Sequence, residues 1–170
     1  DYWVVKLSAT GTIEWQNTIG GNYDDQLQSI QQTIDGGYIL GGNSNSDISG
    51  DKTETYQGSS SYYDYWVVKL SATGTIEWQN TIGGYYDDQL QSIQQTTDGG
   101  YILGGSSYSG ISGNKIEACQ GNYDYWVVKL STTGTIQWQN TIGGSGADNL
   151  QSIQQTTDSG YILGGDSNSI

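Results

Sequence analysis

The sequence predicts an all-β protein made of β-propeller blades, four-stranded antiparallel sheets packed face to face. Three observations carry this reading: one segment recurs three times, each copy divides into four strand-like blocks, and the blocks are apolar on both faces. DYWVVKLSATGTIEWQNTIGG opens at Asp1, again at Asp64 and, slightly altered, at Asp124, with offsets of 63 and 60 residues. Residues 1–42 and 64–105 differ only at Asn22/Tyr85 and Ile34/Thr97, so 40 of 42 positions are identical. A period of this length marks an array of units that bury their apolar faces against one another.

Within one unit the first block, YWVVKL (2–7), is rich in aromatic and β-branched residues, the composition of a strand. Trp3, Val5 and Leu7 fall on one face, and Tyr2 and Val4 are apolar on the other. Both faces therefore need cover, as in a sheet stacked between sheets. SATG (8–11) is a short hairpin turn in which Gly11 can adopt positive φ. TIEWQNTI (12–19) then alternates Ile13, Trp15, Asn17 and Ile19 with polar neighbours, the period of a strand.

LQSIQQT (27–33) and YILGG (38–42) form a second hairpin across Asp35-Gly36-Gly37, replaced by Asp158-Ser159-Gly160 in the third copy. An Asp-Gly pair between apolar runs is a strong hairpin signal. If a blade runs LQSIQQT, YILGG, YWVVKL, TIEWQ, the single repeat domain of residues 1–170 starts in mid-blade. Residues 1–21 are then the last two strands of a blade, 26–84 and 89–144 are full blades, and 148–166 are the first two strands of another. Propellers commonly have about four to eight blades, so this reading expects a partial propeller or one completed by oligomerisation. A β-trefoil, also three repeats of four strands, is the alternative fold.

Five Lys against 18 Asp and Glu leave a net charge of −13. With no basic cluster to neutralise phosphates, nucleic acid is not an expected partner. No run of 18 apolar residues is present, so no membrane insertion by a helix is expected. The sequence has no His, Met, Phe or Pro, and Cys119 stands alone as an unpaired loop thiol. The chain begins at Asp1 without a signal-like segment and is read as a mature piece or a fragment.

A strand ending in Gly-Gly (YILGG), a variable loop, and a later strand carrying Trp (IEW) is similar to the kelch type of propeller blade. Nearly the whole chain more closely resembles the repeats of large secreted surface proteins of Bacteroidetes-type bacteria, through DYWVVKL, IEW, GG, SIQQT and DGGYILGG. That resemblance implies a propeller fold, secretion and a cell-surface location, and it brings no catalytic residues.

In an antiparallel blade, the loop leading into the first strand and the loop joining the second strand to the third emerge on one face. Those loops differ most between copies: GGNYDDQ (20–26), GGYYDDQ (83–89) and GGSGADN (143–149), with long joining loops at 43–63 and 106–123. Function is expected there. Tyr23, Asp24 and Asp25, then Tyr85, Tyr86, Asp87 and Asp88, and finally Asp148 are the candidate ligand-binding residues. Tyrosine rings can stack on sugar faces while carboxylates bond hydroxyls, and Tyr56, Tyr62, Tyr63, Tyr108 and Tyr123 in the long loops extend the set. For Asp25, Asp88 and Asp148 the competing role is to cap backbone at the start of the next strand. The six Trp are read as inter-blade core, and Lys6, Lys69 and Lys129 as partners of a strand acid or as solvent-facing.

Asn45, Asp47, Ser49 and Asp51, with Gly50 at the sixth position, imitate the start of a Ca²⁺ loop. The imitation is partial, because the twelfth position is Tyr56, and the second copy has Ser109-Gly110 in place of Asp47 and Asn114 in place of Asp51. The function expected is that of a non-catalytic extracellular scaffold or adhesion module. A glycan or surface protein is the expected ligand, no cofactor is required beyond possible Ca²⁺, and the chain joins a homo-oligomer or a longer parent chain. Assembly into a ring or filament through split blades is the second expectation, and a carbohydrate-active enzyme the third.

Overall fold

The computed structural model describes residues 1–169, which contain twelve strands and no helix. β1 (Tyr2–Leu7) and β2 (Ile13–Ile19) form a two-stranded sheet. β3 (Asp25–Gln32), β4 (Tyr38–Ser44), β5 (Asp64–Leu70) and β6 (Ile76–Ile82) make the first four-stranded antiparallel sheet, in chain order. The second is β7 (Asp88–Gln95), β8 (Tyr101–Ser107), β9 (Asp124–Leu130) and β10 (Ile136–Ile142). β11 (Asp148–Gln155) and β12 (Tyr161–Ser167) close the series as another pair. The chain is a partial propeller of two whole blades between two half blades.

The hairpin turns explain why the blocks fold back where they do. Gly11 has φ +82°, and Ser8 Oγ accepts hydrogen bonds from Thr10 N at 3.3 Å and Thr12 N at 3.1 Å. At the second hairpin Asp35 Oδ1 accepts Gly37 N at 3.0 Å, and Gly36 takes the left-handed φ of +82° that a side chain disfavours. Ser159 holds the same position in the last pair at φ 69°. In each first-to-second strand pair the register slips once, between Leu27 and Ser29, Leu90 and Ser92, and Leu150 and Ser152. Such bulges bend and twist a strand.

Apolar side chains of neighbouring sheets interdigitate in three layers. Tyr2, Val4 and Ile19 pack on Leu40, Trp66, Val68 and Leu70. Ile39, Tyr65, Val67 and Ile82 pack on Leu90, Ile93, Leu103, Trp126, Val128 and Leu130. Ile102 and Val127 pack on Leu150 and Ile153. The Tyr2 ring lies 4.8 Å from that of Trp66 and its hydroxyl donates to Trp66 O at 3.0 Å; Tyr65 and Trp126 repeat this at 5.0 Å and 3.1 Å. The sheets come so close that a Cβ on Gly41 or Gly104 would sit 2.9 Å from Leu90 Cδ2 or Leu150 Cδ2. The Gly-Gly strand endings are thus a packing requirement. Face-to-face stacking replaces the threefold barrel of the trefoil alternative.

Every Lys on a third strand position meets acids. Lys69 Nζ lies 3.0 Å from both Asp35 and Glu77, and Lys129 Nζ lies 3.0 Å from Asp98, while Lys6 pairs with Glu14 at 2.9 Å.

Candidate functional site

The loops leading into the first strands and those joining second to third strands meet on one face, and hydrogen bonds lock them together. Gly20 O accepts Asp51 N at 2.9 Å, and Gly83 O accepts Asn114 N at 2.8 Å. Ser46 Oγ accepts Tyr23 N at 2.9 Å and Ser109 Oγ accepts Tyr86 N at 3.0 Å. The joining loops are long because they wrap over the turn into the first strand of their own sheet.

This wrapping engages the oxygens expected to form a calcium loop. Asn45 Oδ1 accepts Asp24 N at 3.0 Å, Ser49 Oγ accepts Asn22 N at 2.9 Å, Asp51 Oδ2 accepts Gly20 N at 3.3 Å, and Asp47 Oδ1 accepts Ile48 N at 2.8 Å. Each side chain serves a different backbone donor, and among the described residues no group of three or more His, Cys, Asp or Glu is placed to hold a metal. Alternate oxygens in the sequence had a second use, as acceptors for a neighbouring turn.

The paired acids separate into two environments, because adjacent residues at a strand start point apart. Asp25, Asp88 and Asp148 are buried, and their Oδ2 atoms accept Gly21 N at 2.7 Å, Gly84 N at 2.6 Å and Gly144 N at 2.8 Å. Ser46, Ser109 and Ser169 hydroxyls donate to the same oxygens. All three Oδ1 atoms are buried without a hydrogen-bond partner. Burial pushes the Asp88 carboxyl up to about 6, and that of Asp64, on the third strand of the preceding sheet, up to about 7. A carboxyl deprived of water favours its neutral form. These acids cap and staple the loop face from beneath.

Asp24 and Asp87 face outward. Asp24 Oδ2 accepts the Tyr63 hydroxyl at 3.2 Å, and Asp87 Oδ2 accepts that of Tyr123 at 2.8 Å, the same contact one repeat on. Asp87 Oδ1 also accepts Tyr63 N at 2.9 Å. Burial, then the hydrogen bond to Asp87, pushes the Tyr123 hydroxyl up, so it remains a donor at neutral pH. Around Asp87 lies a cleft of ≈ 540 Å³ between the two whole sheets, lined by Tyr62, Tyr63, Tyr108, Asn122, Tyr123 and Ala147 among others.

The cleft continues an aromatic cluster. Tyr86 contacts Tyr62, Tyr85 and Tyr108 at ring distances of 5.4, 5.1 and 5.6 Å, and Tyr108 contacts Tyr123 at 5.5 Å. Tyr85, Tyr86 and Tyr108 are nonetheless exposed. The first copy has Asn22 in place of Tyr85, and there Tyr23 stands exposed, with no aromatic ring contact among the described residues. The structure thus gathers Tyr85, Tyr86 and Asp87 with four loop tyrosines, and leaves Tyr23 and Asp24 as a simpler counterpart.

Sequence reasoning did not single out Lys52 and Lys115. Both are buried, with Nζ 5.5 Å from the Trp66 ring and 4.8 Å from the Trp126 ring, where burial lowers the Lys52 ammonium to about 8. Their recurrence at equivalent places in two otherwise variable loops was the available signal. The Cys119 thiol donates to Ser107 O at 2.8 Å, and burial pushes its pKa up, the state of an unreactive thiol. Comparison with known families and with curated proteins returns no match to this chain.

Proposed function

We propose that the chain is a non-catalytic scaffold module that binds carbohydrate in the cleft around Asp87. The observation that carries this reading is the cleft itself: several tyrosine rings, an amide at Asn122 and a fixed carboxylate at Asp87 around one concave site. Aromatic faces cover the apolar side of a pyranose, and few polar groups suffice to orient its hydroxyls. Hydrogen bonds from Tyr63 N and Tyr123 to Asp87 hold the carboxylate in place before any ligand arrives, which lowers the ordering cost of binding. The resemblance of the repeats to those of secreted surface proteins supports an extracellular setting.

The test is a glycan array followed by calorimetric titration of any hit into the intact chain and into Tyr108→Ala. The reading expects saturable binding that weakens about tenfold, ~1.4 kcal/mol, when the Tyr108 ring is lost. Absence of any glycan ligand, or binding indifferent to Tyr108→Ala and Asn122→Ala alike, would remove the carbohydrate assignment and leave a scaffold.

A further inference from the structure

Side chains that are buried where a neighbouring sheet covers them stand open at the two ends of the stack. Trp66 and Trp126 are fully buried, while Trp3, in the same strand sequence, is 67% exposed. Leu70 and Leu130 are buried and Leu7 is 49% exposed; Ile93 and Ile153 are buried and Ile30 is 48% exposed; Ile39 and Ile102 are buried and Ile162 is 61% exposed. The contrast extends to backbone packing. A Cβ on Gly41 or Gly104 would meet a leucine at 2.9 Å, whereas one on Gly164 would meet nothing within 4 Å.

The open surfaces are complements of each other. Beside β12 lies a cleft of ≈ 460 Å³ lined by Tyr125, Ile142, Gly143, Asp148, Ser167 and others. In the whole sheets the place next to the second strand is taken by a third strand, whose Trp packs beneath the tyrosine of the preceding sheet and whose carbonyl accepts that tyrosine's hydroxyl. Tyr125 is the third member of the Tyr2, Tyr65 series and faces the unfilled place. Among the described residues, no second strand lies beside β1, which is a third strand.

We propose that a second copy of this chain docks here, its β1–β2 hairpin extending β11–β12 into a four-stranded sheet. The occupant is specified by continuity with the interface already present twice within the chain: the place asks for a DYWVVKL strand, and a second copy supplies one. The register follows β4 on β5, from Tyr38↔Leu70 to Ser44↔Asp64, and β8 on β9, from Tyr101↔Leu130 to Ser107↔Asp124. It therefore runs from Tyr161 opposite Leu7 of the incoming copy to Ser167 opposite its Asp1, with Gly164 opposite Val4. Trp3 of the incoming copy fills the cleft beneath Tyr125. Ile162 and Gly164 cover Leu27 and Ile30 of that copy, and its Lys6 meets Asp158, as Lys69 meets Asp35 and Lys129 meets Asp98. The proposal rests on the blade packing and is independent of the carbohydrate reading.

Sedimentation velocity and mass photometry of the intact chain over a wide concentration range test it. Concentration-dependent dimers or larger species are expected. Lys6→Glu and Asp158→Lys should each weaken association, by at least about tenfold, and the doubly substituted chain should recover most of the loss. Gly164→Leu should abolish association. Lys6, Asp158 and Gly164 lie on open surfaces, so circular dichroism should show each variant folded. A chain that stays monomeric at every concentration overturns the proposal, and so does association unchanged by Gly164→Leu and by both charge reversals.

Discussion

Residues 1–21 and 64–84 have the same sequence, yet they live in different surroundings. In the second segment all of β5 is buried, with Lys69 held between two acids. In the first, β1 buries Tyr2 and Val4 and exposes Trp3 and Leu7. Both segments form the same hairpin in the same register, Tyr2↔Ile19 and Tyr65↔Ile82. Local sequence therefore dictates the hairpin, and the neighbouring sheets dictate which of its side chains stabilise the fold.

The largest effect expected from this comparison is at tryptophan. Trp126→Ala should cost ~3–5 kcal/mol of unfolding free energy because it empties a sealed interface, whereas Trp3→Ala should cost under about 1 kcal/mol in the monomer. Equal losses in urea denaturation would break the comparison. The glycines sharpen it. Gly104→Ala forces a methyl against Leu150 and should cost ~1–3 kcal/mol, while Gly164→Ala should leave monomer stability nearly unchanged.

The buried acids contrast in the same way. Asp64 and Asp88, pushed up to about 7 and about 6 by burial, bind protons in the folded chain that the unfolded chain has released. Stability should therefore fall as pH rises from about 4 towards 7. Asp148, beside the open cleft, goes the other way, held down by the Ser167 and Ser169 hydroxyls. Its contribution is present above the ordinary carboxylate range and is lost as pH falls below it. Thermal melts across this range should show Asp64→Asn flattening the neutral-side slope and Asp148→Asn leaving it intact. Smallest of all, Ser159→Gly should raise stability by up to about 1 kcal/mol, since Ser159 holds the left-handed φ that Gly36 and Gly99 adopt freely.

Much of the fold was legible because the repeat shows each signal more than once. The order LQSIQQT, YILGG, YWVVKL, TIEWQ within a sheet follows from the hairpin turns and from the long loop between the second and third blocks. The two-sided apolar pattern of YWVVKL correctly called for sheets on both faces, as Trp66 and Val67 show. The side-chain environments were less legible. Beside Asp24 and Asp87 in sequence, Asp25 and Asp88 suit a ligand-binding or a backbone-capping role alike, and their burial depends on the joining loop folding over them. The oxygens of Asn45, Ser49 and Asp51 match a cation loop by spacing, but their donors come from residues 20–24, some twenty to thirty positions away in the chain. The tyrosine cluster joins residues from two repeats, a contact that no pattern within one repeat encodes.

The central claim is that the fate of each repeated side chain is set by the sheet beside it, and fluorine NMR of the chain labelled with fluorotryptophan reads that directly at six places. Single Trp→Phe substitutions assign the resonances, and the shift between light and heavy water reports exposure. The account predicts no solvent shift for Trp66 and Trp126 at any concentration, and a clear one for Trp3 in dilute solution that disappears as the chain associates. A Trp3 resonance already protected in the dilute monomer, or solvent shifts at Trp66 and Trp126 equal to that of Trp3, would contradict it.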